Sequence, residues 1–114
     1  MIDNFLNEQL ICLDLKSTSK ANVFVELIDL LVKNGNVTNK EQFLADVNAR
    51  EAVSNTGFEE GVAFPHAKSA AVVTPAVAVG ISRNGIDYGA DDGEYSKLFF
   101  MIASPEGSTN LHVE

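Results

Sequence analysis

Apolar positions along the chain fall into two textures. In the first half they recur at spacings of three and four: Val23, Phe24, Leu27, Ile28, Leu30 and Leu31 form one stripe, and Phe43, Leu44 and Val47 form a second. Such stripes are the buried faces of amphipathic helices. Lys16-Ser17-Thr18-Ser19 gathers cap-forming residues ahead of the first stripe, and Gly35 stands where a left-handed residue would end that helix. Thr38 and Glu41 have the Thr-x-x-Glu spacing of a capping box, which predicts that the second helix starts there, with Arg50 near its end. Ahead of both, residues 9–15 are short, apolar and β-compatible, and read as a strand.

From residue 53 onward Gly, Pro, Ser and Asn punctuate short apolar runs at residues 61–64, 76–81 and 98–103. These have strand lengths, with turn chemistry at Arg83-Asn84-Gly85 and Asp92-Gly93. The run Leu98-Phe99-Phe100-Met101-Ile102 is apolar without alternation, which predicts a strand covered on both faces. Two helices followed by several strands make an α/β or α+β domain. The chain of 114 residues supports one domain, residues 1–114, with a core that needs neither disulfide nor structural metal. Both clear helices precede residue 53 and nothing follows the last strand to cover it, so the pattern predicts a fold lacking a C-terminal helical portion.

Charge narrows the partners. Eight basic residues stand against sixteen acidic ones, a formal charge of −8 at pH 7. Phosphate-backbone partners are held by clustered Lys and Arg, so nucleic acid is disfavoured, as is an anionic membrane surface. No stretch approaches the roughly 20 apolar residues of a membrane helix, and no basic-then-apolar leader opens the sequence. A single cysteine cannot pair internally, which fits a reducing compartment, and the expected location is cytoplasmic.

Candidate chemistry is sparse. One Cys and two His lie far apart without ligand spacing, so no metal site is expected, and Cys12 reads as a small buried hydrophobe. Neither a G-x-S-x-G elbow nor a G-x-x-x-x-G-K-[ST] loop is present. Asp87, Asp91, Asp92 and Glu94 crowd one segment without EF-hand spacing and read as a solvated acidic turn. His66 is the distinctive residue. It follows Phe64-Pro65, where the proline fixes its own φ and keeps Phe64 extended, so the imidazole is presented by a stiff segment at a strand end. On spacing alone a surface loop histidine reads the same way, His112 reads as a tail histidine, and Arg50 reads as a helix-end cation facing the dipole.

The run Arg50-Glu51-Ala52, then Thr56-Gly57, then Gly61-Val62-Ala63-Phe64-Pro65-His66-Ala67-Lys68 resembles the signature of phosphotransferase-system enzyme IIA domains of the fructose/mannitol type. Ser19-Lys20, Ala78-Val79-Gly80, Gly85-Ile86-Asp87-Tyr88, Asp92-Gly93, Pro105-Glu106-Gly107 and Asn110-Leu111-His112 continue the resemblance over essentially the whole chain. It implies a mixed β-sheet sandwiched between helices, here without the helices that follow the second histidine in the family. It also implies a phosphocarrier: His66 accepts a phosphoryl group from the phosphohistidine of HPr and passes it to a cysteine of an enzyme IIB domain, which serves a membrane IIC transporter. His112 and Arg50 would hold the phosphoryl group, and no cofactor is implied. A nitrogen-type or transcriptional-regulator IIA-like module, in which phosphorylation switches partner binding, is the alternative. Phe58-Glu59-Glu60 departs from the small, Gly-rich loop usual in the family, and two carboxylates near a phosphate site would oppose its charge unless they point outward.

Overall fold

The computed structural model describes residues 7–107. Its elements in chain order are a 3-10 turn at Glu8–Leu10, β1 (Ile11–Cys12), α1 (Lys20–Lys33), α2 (Lys40–Val53), a 3-10 turn at Glu59–Gly61, β2 (Val62–Ala63), β3 (His66–Ser69), β4 (Ala76–Ile86) and β5 (Ser96–Pro105). This is the mixed α/β fold expected from the sequence. The strand read over residues 9–15 shrinks to Ile11–Cys12, because Leu10 is taken into the preceding turn and the chain bends away after Cys12. Cys12 is half-buried against the core rather than fully enclosed.

The first helix follows its sequence signals. Ser19 is its N-cap, accepting from the Asn22 amide at 3.2 Å, and the chain leaves it through Asn34 into Gly35 at φ +83°. A residue carrying a Cβ pays a steric cost in that left-handed geometry. Val23, Phe24, Leu27, Ile28 and Leu31 are buried along one face, and Leu30 packs at the margin. The second helix starts one residue later than the capping-box reading. Asn39 is the N-cap, its Oδ1 accepting from the Gln42 amide at 3.1 Å. Thr38 is engaged elsewhere: its amide and hydroxyl both donate to the Ala71 carbonyl, at 2.9 and 3.3 Å. That tertiary tie, beside the Val37–Val72 bridge, outcompetes a local cap. Phe43 and Val47 are buried as the stripe predicts.

Strand order is β1-β4-β5-β2, with β3 also pairing β5. β4 and β5 run antiparallel with Ala78 opposite Met101 and Gly80 opposite Phe99, while β1 lies parallel to β4, and β2 and β3 lie parallel to β5. Arg83-Asn84-Gly85, expected as a turn, is instead a bulge within β4: the step from Ile81 to Ile86 is matched on β5 by the step from Leu98 to Ser96. Asp92-Gly93 does turn, closed by the Gly93 amide on the Ala90 carbonyl at 3.0 Å.

Phe99, Met101 and Ala103 point into the core under α1, where Phe24 meets Tyr88 at 6.1 Å between ring centroids and Tyr88 meets Phe99 at 5.9 Å. Leu98, Phe100 and Ile102, on the opposite face of β5, are only half-buried. Among the described residues one face of that strand is fully enclosed, where the unbroken apolar run predicted two. None of the described helices is long and apolar enough to cross a membrane.

Candidate functional site

β2 and β3 are two short strands separated by Phe64-Pro65. The break is built in, because Pro65 has no N–H to continue a ladder. Its carbonyl still accepts from the Ile102 amide at 2.9 Å, so the corner stays fastened to β5. His66 is therefore the first residue of a strand, opposite Ile102, and not a residue trailing behind one.

A second strap holds the same corner from outside. The Phe64 amide donates to the Thr56 carbonyl at 3.0 Å and the Phe58 amide to the Val62 carbonyl at 2.6 Å, with Gly57 bridging Ala63. Gly57 is required by space: a Cβ there would sit 2.7 Å from Asn55 Oδ1, 2.9 Å from the Tyr88 ring and 3.0 Å from Ala90 Cβ.

Between this strap, the last turns of α2 and the start of β3 lies an open cavity of about 900 Å³. Asp46 and Arg50 line it from α2, residues 55–58 from the strap, and His66, Ala67 and Lys68 from β3, with Phe64 and Ile102 beside them. Arg50 and His66, singled out separately in the sequence, thus share one cavity. His112 lies outside the described residues. Glu59 and Glu60 are exposed and do not line the cavity, which removes the charge conflict their sequence position raised.

The His66 ring is oriented by its own strand. Nδ1 lies 2.8 Å from the Phe64 carbonyl oxygen, an acceptor only, so Nδ1 carries the proton and donates. In the neutral ring Nε2 then holds the lone pair, the tautomer a nitrogen nucleophile uses. Arg50 braces the end of its own helix: Nη1 donates to the Ser54 carbonyl at 3.0 Å, satisfying one of the carbonyls the helix leaves open. Its remaining guanidinium donors are available to an anion.

Behind the strap sits a polar cluster for which the sequence reading gave no role. Glu51 projects from α2 with its side chain 10% exposed. Its Oε2 accepts from Lys20 Nζ at 2.9 Å and from the Thr56 amide at 2.9 Å, and its Oε1 accepts from the Thr56 hydroxyl and from Tyr88 Oη at 3.2 Å. Because the carboxylate can only accept, Thr56 gives its proton to Glu51. The Tyr88 proton is then shared between Glu51 and Thr56 Oγ1, 2.7 Å away. Burial pushes the Glu51 carboxyl up, but the Thr56 and Lys20 donors together outweigh it and hold the group below its ordinary value. Tyr88 goes the other way, with burial raising its hydroxyl far above the usual phenol range, so it stays a donor. Lys20 also stacks over the Tyr88 ring at 4.1 Å, and Asn55 ties the strap to the Tyr88 carbonyl at 2.9 Å. The sequence did carry a signal for this cluster. Glu51, Thr56, Lys20 and Tyr88 all stand inside the motif segments, and a glutamate directly after the helix-end arginine points to a different side of α2 from Arg50.

Aromatic side chains flank the mouth. Phe58 is 60% exposed and meets Phe64 edge-on at 6.3 Å, and Phe64 stacks on Phe100 at 5.5 Å.

Known proteins place this arrangement. The profile of the family described as "Phosphoenolpyruvate-dependent sugar phosphotransferase system, EIIA 2" matches residues 4–114. The chain is 41% identical over 113 residues to the PTS system fructose-specific EIIABC component of Bacillus subtilis (strain 168), covering 99% of this chain but only 18% of that protein. Among solved structures, the nitrogen regulatory protein IIA-Ntr from Neisseria meningitidis superposes with a TM-score of 0.85 at 30% identity, over 95% of this chain and 73% of that one. The Escherichia coli enzyme IIAMTL, solved in complex with phosphorylated enzyme IIBMTL, shares the fold with a TM-score of 0.77 at 23% identity, over 90% of this chain and 72% of that one. The fold beneath the His66 corner thus has counterparts among solved structures, and this chain belongs to the EIIA 2 family of the phosphoenolpyruvate-dependent sugar phosphotransferase system.

Proposed function

We propose that this chain is a phosphocarrier in sugar uptake, in which His66 Nε2 accepts a phosphoryl group from phospho-HPr and yields it to a IIB domain serving a membrane IIC transporter. The observation that carries the reading is the His66 ring itself: Nδ1 is pinned as a donor on the Phe64 carbonyl, which leaves Nε2 as the nucleophile at an open cavity. In each transfer an N–P bond breaks as a new bond to phosphorus forms, from Nε2 of His66 in the first and from the IIB cysteine sulfur in the second. The electrons of the broken bond stay with the departing imidazole nitrogen. Phosphoryl transfer of this kind asks for positioning and for stabilisation of charge on the equatorial oxygens, rather than for a separate base.

Arg50 supplies donors to those oxygens while its Nη1 remains on Ser54. His112 is assigned a second donor role on the family resemblance alone. The Escherichia coli relative is solved with a phosphorylated IIB protein, and for a partner of that kind Phe58 and Phe64 offer an aromatic docking rim beside the nucleophile.

Incubation with phosphoenolpyruvate, enzyme I and HPr tests the reading. Acid-labile phosphate on His66, located by mass spectrometry, and its loss in His66→Ala with an unchanged circular dichroism spectrum are expected. A folded wild-type chain that stays unmodified removes the proposal. The likeness to the Neisseria IIA-Ntr favours one second reading, a regulatory module switched by the same phosphorylation. Phospho-His66 that no IIB domain discharges supports that reading over transport.

A further inference from the structure

Three successive amides of the strap that faces His66 are already engaged. The Thr56 N–H is taken by Glu51, the Gly57 N–H by Asn55 Oδ1 at 2.6 Å, and the Phe58 N–H by Val62. A phosphoryl group arriving on Nε2 therefore finds no nest of main-chain donors at residues 56–58, unlike anion sites built from successive amides. It also finds a carboxylate: Asp46 lines the cavity, neutralised by no described cation and held only by Gln42 Nε2, 3.1 Å from each of its oxygens. Side-chain cations are then the natural partners of charge on the transferring group, and Arg50 is the α2 cation that lines the cavity.

The geometry points to Lys68 as a further catalytic residue, its ammonium contacting the equatorial oxygens of the phosphoryl group on His66. His66 and Lys68 are alternate residues of β3, so their side chains leave the same side of the strand with Cα atoms about 6.6 Å apart. Both line the cavity, and Ala67 between them is buried. The four-carbon stem of a lysine spans that separation. Lys68 is exposed, and among the described residues it enters none of the ion pairs that occupy Lys16, Lys20 and Lys40. Its charge thus enters no ion pair among the described residues and is carried on the strand face that presents the reacting ring. During transfer the donor's N–P bond breaks as the bond from Nε2 forms, no proton leaves Lys68, and its ammonium follows the oxygens as they spread in the transition state.

This inference rests on the phosphocarrier reading, and its test separates the two. Single-turnover transfer from phospho-HPr is followed over a range of donor concentrations for the wild type, Lys68→Gln and Lys68→Arg. Lys68→Gln should lower the limiting rate roughly tenfold, with the half-saturating donor concentration within about twofold of wild type. Lys68→Arg should recover the rate to within about threefold. A Lys68→Gln rate within twofold of wild type overturns the inference. So does a loss confined to half-saturation, which would make Lys68 a docking residue, or a failure of arginine to rescue. If the wild type takes no phosphoryl group, the phosphocarrier reading fails, and inorganic phosphate followed by amide NMR shifts still decides on Lys68. Weaker phosphate shifts at residues 66–68 in Lys68→Gln support it, and identical titrations overturn it.

Discussion

Glu51→Gln isolates the cluster behind the strap. The substitution keeps the shape of the side chain and removes its charge, leaving one amide oxygen and one NH₂ where two carboxylate oxygens had accepted four donors. Whichever way the amide turns, two of the donors face an NH₂ group. One lost charge-assisted hydrogen bond contributes about 1.5–3 kcal/mol, and an orphaned donor adds its desolvation cost. Lys20, with its side chain 28% exposed, recovers part of this through water. A net loss of about 2–3 kcal/mol is expected. With roughly 2.1 cal/mol/K of unfolding entropy per residue, that lowers Tm by about 8–13 °C.

The charge on Glu51 also sets a pH dependence. The Glu51 carboxyl is held below the ordinary glutamate value of 4.5, so its stabilisation is present above that pH and is lost as pH falls through the lowered folded value. The gap in Tm between wild type and Glu51→Gln should therefore be full at pH 7 and close on acidification below about pH 4.5. Thermal melts by circular dichroism at pH 7 and across the acid range measure both. A pH 7 loss under about 0.5 kcal/mol, the size expected for an ordinary surface ion pair, would show that the cluster does not hold the strap. So would a gap that does not change with pH.

Two other expectations follow from the geometry. Gly57→Ala should cost about 1–3 kcal/mol, because its Cβ is met by the Tyr88 ring, Asn55 and Ala90 at 3.0 Å or less; a chemical-denaturation midpoint unchanged from wild type would contradict this. With a formal charge of −8, association with a basic face of HPr or a IIB domain should weaken as salt rises from 50 to about 300 mM, and stopped-flow association rates insensitive to salt would count against such steering.

The sequence was legible where one local rule governed the outcome. The first helix obeys Ser19, its apolar stripe and Gly35, since each acts within one turn of itself. Misreadings arose where a distant partner won. Thr38 looks like a cap until Ala71, thirty-three residues on, claims its hydroxyl. Arg83-Asn84-Gly85 has the composition of a hairpin turn, yet β5 keeps pairing beyond it and turns the surplus into a bulge. At the candidate site, Arg50 and His66 were identified by motif, and both line the cavity. What the motif could not convey is direction. Glu51 adjoins Arg50 in sequence but serves the far side of the strap, and Lys68 gains its interest only from sharing a strand face with His66.

The interruption at Pro65 has a consequence for how other proteins can approach. An uninterrupted strand carrying His66 would offer its free margin to any extended segment, and a visitor could extend the sheet by main-chain pairing. Here the margin is cut into pieces of two and four residues by an imino acid, and the shorter piece is already capped by Gly57. Such short pieces favour side-chain contacts over extended main-chain pairing. The proposed phosphocarrier, which greets a giver and a taker in turn, would benefit from handshakes of that kind rather than from a zipper.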